Sequence, residues 1–191
     1  MKSFNGITAC VLAGGMSRRF GEDKSLYFFN GRRLIEHVID PLRKIFDEVM
    51  IIAGEADKYS FLGIPVFPDI FPGIGPIGGL HSALRHAGNT SIFLAACDMP
   101  GINPDIVVYL ASFAGRFDVV VPHVDGCYEP LHAIYSKRCI GPVEKMIADD
   151  DRMILHLYDS VATRRVGEDE LKGFKDFRSF YANINYKSDI Q

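Results

Sequence analysis

Three turns in this chain carry residues whose types and spacing could do chemistry. The first is "ACVLAGGMSRRFGEDKS", residues 9–25, where an apolar stretch gives way to Gly14 and Gly15 and then to Arg18, Arg19 and Lys24. Paired glycines let the backbone turn sharply and bring its N–H groups against a ligand with no side chain in the way. Turns of this kind at the end of a strand cradle phosphates. This one is not a Walker A loop, because five residues separate Gly15 from Gly21 and no glycine immediately precedes Lys24. What remains is a longer turn with three cations, suited to neutralising a triphosphate.

The second turn is "GIGPIGG". Gly73, Gly75 and Gly78 satisfy GxGxxG literally, and Asp98 follows at the distance that a dinucleotide fingerprint asks of its acidic residue. A nicotinamide dehydrogenase is therefore an alternative. Against it, the fingerprint should follow a strand directly, whereas "PDIFPG" intervenes here with two prolines. The glycines read better as a loop that closes over a nucleotide and opens a helix at Pro76. The third turn is "LAACDMPGI", which places Asp98 directly after an apolar run. A carboxylate held there, on a rigid element at the ligand edge of a sheet, suits a hard divalent ion.

The elements that must position these turns follow from patterning. The 191 residues are 48% hydrophobic and 24% charged with a net charge of −3, the profile of a globular protein. A weakly acidic chain has no basic field for general nucleic-acid binding, so its basic cluster should serve a compact ligand. No apolar run approaches the roughly 20 residues of a membrane span, and the four cysteines show no CxxC spacing. The expected setting is a reducing cytoplasm, away from membranes.

Short apolar runs alternate with helical patterns, as in a parallel sheet with crossover helices. "ITACVLA", "EVMIIAG", "IPVF", "SIFLAA" and "FDVVVP" read as strands. "RRLIEHVIDPLRKIF" has helical period, with a kink expected at Pro41. "GGLHSALRHAG" reads as a helix closed by Gly88, and "NPDIVVYLASFAG" as one capped by Asn103 with Pro104 in its first position. Further on, "GCYEPLHAIYS" alternates like a hairpin pair, "KRCIGPVEKMIA" and "RMILHLYDSV" look helical, and "ATRRVG" is a candidate last strand. With no linker and no internal repeat, the expectation is one domain over residues 1–191. Its class is α/β: a doubly wound, mostly parallel sheet with helices on both faces and the ligand at the carboxyl ends of the strands.

In these motifs the chain resembles the molybdenum cofactor guanylyltransferases of the MobA-like nucleotidyltransferase group. "LAGGMSRRFGEDK" is similar to the signature LAGGxSxRxGxDK, and "FPD", "GPIGGL", "CDMP", "YEPLHAIY" and a weakened "NINYKSDI" continue the likeness in order. The resemblance implies transfer of GMP from GTP to the terminal phosphate of molybdopterin, with release of pyrophosphate and use of Mg²⁺. It implies that Leu12, Ala13 and Gly14 lie against the nucleotide, with Gly15 and Gly78 in the same loops. Lys24 would hold phosphates with Arg18 and Arg19, Asp69 would contribute to the nucleotide site, and Asp98 would bind the metal. Asn183 and Asn185 match the closing motif and belong near metal or phosphate. Other proteins of molybdenum cofactor biosynthesis are the implied partners.

Two departures stand out: Gly54 where the family commonly has asparagine after the second strand, and "NINYKSDI" where it has NINTPEDL. A sister group uses CTP, other relatives use other phosphate acceptors, and a nucleotide-binding module without turnover is a further alternative.

Several features have bland readings. Cys10 and Cys97 belong to predicted strands and to the core, and the run Asp149 to Asp151 is a solvated helix end. Phe174, Phe177 and Tyr181 form one packing stripe. Arg164 and Arg165 are surface residues that could meet the acceptor's phosphate.

Overall fold

The computed structural model describes residues 4, 6–13, 23–182 and 184. The first strand, β1 (Ile7–Leu12), is buried along nearly its whole length, as a near-continuous apolar run must be when both faces of a parallel sheet are covered. After it come a two-residue hairpin, β2 (Phe28–Phe29) and β3 (Arg32–Arg33), helix α1 (Leu34–Arg43) and strand β4 (Glu48–Ile52). Then follow β5 (Val66–Phe67), α2 (Pro76–His86), β6 (Ser91–Ala96), α3 (Pro104–Ala111) and β7 (Val119–Val124). The chain continues through β8 (Cys127–Tyr128), β9 (His132–Ser136), α4 (Ile140–Ala148), β10 (Thr163–Gly167) and a single-turn α5 (Glu168–Leu171).

The main sheet runs β10-β7-β9-β6-β1-β4-β5, with β8 paired to β7. It is mostly parallel, but β9 lies antiparallel between β6 and β7. The expected hairpin is thus corrected: β8 pairs β7 and β9 pairs β6 and β7, so the two runs of "GCYEPLHAIYS" do not pair with each other. β9 is buried at every position, His132 and Ser136 included, which explains why alternation misled: a central strand has no solvent face to alternate with.

Helices cover both faces. On one, α1 and α3 supply Ile35, Val38, Ile39, Leu42, Ile106 and Leu110 to a core shared with Ala9 and Val11 of β1. On the other, α2 and α4 supply Leu80, Ala83, Leu84 and Val143 against Cys10 of β1. α1 passes through Pro41 and ends two residues later at Arg43. α2 ends at His86 with Ala87 as its C-cap, earlier than the Gly88 expected. The predicted cap of α3 holds: Asn103 Oδ1 accepts from the N–H groups of Asp105 (3.0 Å) and Ile106 (3.4 Å). "RMILHLYDSV" is a 3₁₀ turn, Ile154–Asp159, rather than an α-helix. In the last stripe it is Phe180 that is fully buried, while Phe174, Phe177 and Tyr181 pack partly exposed on the core.

The registers decide where a ligand can sit. Leu12 pairs with Ile52 of β4 on one side and Ala96 of β6 on the other, so three parallel strands end flush. Chain order reverses here, with β4 and β6 on opposite flanks of β1. That is the switch point at which open α/β sheets bind ligands.

Candidate functional site

The chain leaves β1 through Ala13, whose N–H bonds Ile52 O at 3.0 Å. It returns at Asp23, the N-cap of a one-turn 3₁₀ helix, Lys24–Leu26. Asp23 Oδ1 accepts from Ser25 N (3.2 Å) and Ser25 Oγ (2.6 Å). Ser25 Oγ is 2.9 Å from the Tyr59 hydroxyl, which donates to Ala13 O at 2.8 Å. Both ends of the opening turn are therefore tied to one buried side chain, Tyr59, whose phenol burial pushes up to a pKa of about 12. Gly14, Gly15, Arg18 and Arg19, expected in this turn, lie outside the described residues, as do Asn183 and Asn185.

The turn after β6 faces this one. Cys97 N extends the ladder with a 3.1 Å bond to Leu12 O, and the next residue, Asp98, accepts from Lys24 Nζ at 3.0 Å. The lysine side chain retains 11% of its exposure and the aspartate 30%. An ion pair so placed is shielded on the lysine side and open on the carboxylate side. No hydrogen bond reaches Asp98 Oδ1 among the described residues. Nor is there, among them, any cluster of three His, Cys, Asp or Glu that could hold a metal. One half-open carboxylate is the donor set that suits Mg²⁺, which keeps waters and takes one or two carboxylates plus substrate phosphates.

The second glycine cluster serves close packing. Residues 68–75 separate β5 from α2, so the strand-turn-helix geometry of a dinucleotide fingerprint is absent. A Cβ at Gly78 would lie 2.6 Å from Phe71 O, and one at Gly79 would lie 2.8 Å from Leu12 Cδ1. The glycines thus let the 69–75 loop fold onto α2, and let the first turn of α2 press on the end of β1. Gly75, with φ of +83°, makes the entry into the helix. The loop is held by Ser82, whose Oγ accepts from Ile70 N and donates to Gly78 O, both at 2.8 Å. Within it, Asp69 Oδ1 is buried with no partner, and burial raises this carboxyl above its usual range. An unpaired acceptor there has unused capacity for a ligand's donor.

The remaining candidates take no part in this pair. Burial pushes the Cys97 thiol up to about 12 and the Cys10 thiol well above its usual range, so neither is a ready nucleophile. Arg164 pairs with Glu170 and lies over the Phe113 ring, while Arg165 donates to His123 Nδ1 at 2.8 Å. Both sit on β10, three strands or about 14 Å from β6. That is off the Lys24–Asp98 centre. Asp150 and Asp151 are engaged by Arg152 and His156.

Sequence reasoning missed Ser25, Tyr59 and Ser82, since a hydroxyl in a polar stretch carries no periodic signal. It also missed His132, which is fully buried, lies against the Phe180 ring with the two rings tilted and their centroids 4.4 Å apart, and has its pKa pushed down to about 3 by burial.

A lysine–aspartate pair at the switch point of a doubly wound sheet, beside a strand end on which the first turn of a helix packs, marks a nucleotide-binding α/β protein. Comparison with known proteins narrows that class. Residues 9–163 match the MobA-like NTP transferase domain. The probable molybdenum cofactor guanylyltransferase of Pelotomaculum thermopropionicum is 34% identical over 183 residues, covering 96% of this chain and 89% of that protein. The molybdenum cofactor guanylyltransferase of Desulfosudis oleivorans is 31% identical, covering 97% and 93%. Among solved structures, molybdopterin-guanine dinucleotide biosynthesis protein A of Archaeoglobus fulgidus superposes with a TM-score of 0.81 at 28% identity, over 96% of this chain and 94% of that one. The chain belongs to the MobA-like NTP transferase family, and it is a nucleotidyltransferase.

Proposed function

We propose that this chain transfers GMP from GTP to the terminal phosphate of molybdopterin, releasing pyrophosphate and forming the guanine dinucleotide form of the molybdenum cofactor. The observation that carries the reading is the Lys24–Asp98 pair at 3.0 Å where β1 and β6 end flush. The names of the nearly full-length relatives support the choice of GTP and molybdopterin.

The acceptor is a phosphate monoester with a second pKa of about 6, so it is already a competent nucleophile near neutral pH and needs no strong general base. The protein's work is then to hold the attacking oxygen in line with the α-phosphorus and to neutralise charge on the departing pyrophosphate. Lys24, with Arg18 and Arg19 from the same turn, supplies that positive charge. Leu12, Ala13, Gly14 and Gly15 line the nucleotide, and the first turn of α2, which packs on Leu12, brings the positive end of its dipole to that end of β1. Gly78 lets the 69–75 loop close, and Asp69 offers its unpaired oxygen to a donor of the nucleotide. Asp98 holds Mg²⁺, which when bound supplies charge neutralisation on the triphosphate. Asn183 and Asn185 belong near metal or phosphate. The whole chain acts as one catalytic domain, and its four free cysteines suit a reducing cytoplasm. Other proteins of molybdenum cofactor biosynthesis are its expected partners.

Calorimetric titration with GTP, CTP, ATP and NAD, each with and without Mg²⁺, tests the reading. Magnesium-dependent binding of GTP alone, followed by pyrophosphate release on adding molybdopterin, is the expected result. A preference for CTP would change the product, and binding of NAD alone would overturn the assignment.

A further inference from the structure

The described residues include one position in the closing motif, Ile184, and it touches both halves of the phosphate site. Its main-chain N–H donates to Asp98 O at 2.9 Å. Its side chain, 6% exposed, packs in a small cluster of its own with Leu34, Tyr27 and Phe29. Tyr27 closes the one-turn helix that carries Lys24, its N–H bonding Lys24 O at 3.2 Å, and Leu34 N bonds Tyr27 O at 2.9 Å. One residue thus holds the Asp98 turn with its backbone and, with Leu34, forms the apolar cluster against which Tyr27 of the Lys24 turn packs. Lys24 and Asp98 are 74 residues apart in sequence, and among the described residues no strand ladder joins their turns directly.

The approach of this segment is shaped by the Asp98 turn itself. A Cβ at Gly101 would lie 2.0 Å from Ser179 O and 2.7 Å from Ser179 C. No flexible side chain can yield there, since the neighbour is backbone. Only glycine at 101 lets the 177–181 turn lie against the residues that follow Asp98. Two further contacts hold the segment down: Asn103 Nδ2 donates to Lys175 O at 2.8 Å, and Phe180 is fully buried against His132.

We propose that Ile184 is a positioning residue that sets the spacing of Lys24 and Asp98, with Gly101 as the notch that admits the segment bearing it. The proposal rests on the nucleotidyltransferase reading for its consequence, but not for its geometry. When Ile184 is lost, the two turns part, and the site that must neutralise a triphosphate loosens. The strand end at Leu12 and Ala13 keeps its place, because pairing with β4 and β6 holds it.

Three variants separate the two grips. Ile184→Pro removes the N–H donor, Ile184→Ala keeps the donor and removes the apolar anchor, and Ile184→Val keeps both. Mg²⁺–GTP and GMP are titrated against each, because GMP lacks the β- and γ-phosphates and reports on the nucleoside end alone. In I184P and I184A, affinity for Mg²⁺–GTP should fall about tenfold or more, and turnover by up to about a hundredfold, the scale on which small misplacements act. Affinity for GMP should stay within about twofold, and I184V should behave as the parent protein does. Should I184P not fold, I184A carries the test.

Amide exchange in the ligand-free proteins decides the geometry independently of the function. The Tyr27 and Met99 amides, which close the two turns, should exchange at least about tenfold faster in I184A than in the parent, relative to amides of β6. Equal loss of GMP and Mg²⁺–GTP, or no change at Tyr27 and Met99, would overturn the proposal. If the parent protein fails to bind Mg²⁺–GTP, the proposed function falls, and the exchange result alone decides the positioning.

Discussion

Replacing Lys24 by methionine keeps most of the side chain's volume and removes its charge. At 3.0 Å and an effective dielectric of about 20, the Coulomb attraction between Lys24 and Asp98 is about 5.5 kcal/mol gross. Breaking a fully buried pair by deleting one partner costs about 3–5 kcal/mol, because the other charge is left uncompensated. Asp98 keeps 30% of its side-chain exposure and water can reach it, so the stability loss for K24M should be smaller, about 1–3 kcal/mol. The effect on chemistry should be larger. Removing one preorganised donor aimed at developing charge typically costs 10²–10³ in kcat, and K24M should fall in that range at saturating GTP. Urea denaturation gives the first quantity and pyrophosphate release with molybdopterin the second. A double-mutant cycle with Asp98→Asn isolates the pair, with an expected coupling of at least about 1 kcal/mol. Turnover within tenfold of the parent at saturating GTP, or a coupling below about 0.5 kcal/mol, would refute the placement of this pair at the reacting phosphates.

His132 gives a pH signature. Its folded pKa of about 3 lies below the ordinary 6.5, so the unfolded chain binds the extra proton first, and stability should be unaffected above pH 6.5 and fall as pH drops below it. The slope is at most about 1.4 kcal/mol per unit. His132→Phe should flatten that part of the stability profile, and an unchanged profile would count against the buried neutral ring. Iodoacetamide at pH 7.5 should label exposed Cys127 and spare Cys10 and Cys97, as peptide mass spectrometry can show; rapid labelling of Cys97 would contradict its raised thiol pKa. At Gly54 a Cβ meets nothing within 4 Å, so Gly54→Asn should leave stability within about 0.5 kcal/mol. It should tighten GTP binding severalfold, the scale of one added hydrogen bond, and a weakened affinity by calorimetry would show that the position faces away from the nucleotide.

Much of this fold was legible because its central strands are continuous apolar runs and its helices have clear starts. "SIFLAA" coincides with β6, and Asn103–Pro104 opens α3 where the capping chemistry says it should. Lys24 stood out as a cation of the glycine-rich turn and Asp98 as a carboxylate directly after an apolar strand, and the fold brings the two within 3.0 Å of each other. Long-range assembly was not. Nothing local tells "HAIYS" to enter between β6 and β7, because insertion is decided by which strand edges remain unpaired late in the chain. The tie through Tyr59 was equally hidden: its hydroxyl bonds Ala13, 46 residues earlier, a distance no periodic pattern encodes. Gly101 was passed over because the clash that requires glycine comes from Ser179, a backbone atom far along the sequence.

The tie from Asp23 through Ser25 and Tyr59 to Ala13 has an engineering consequence. It holds Ala13 and Asp23, the residues that flank the phosphate-turn sequence, to a common post that belongs to neither. A donor sequence from a relative with another nucleotide preference can be spliced between Ala13 and Asp23 with both junctions still held by Tyr59. The hybrid's melting behaviour would then report on the host and its ligand choice on the guest.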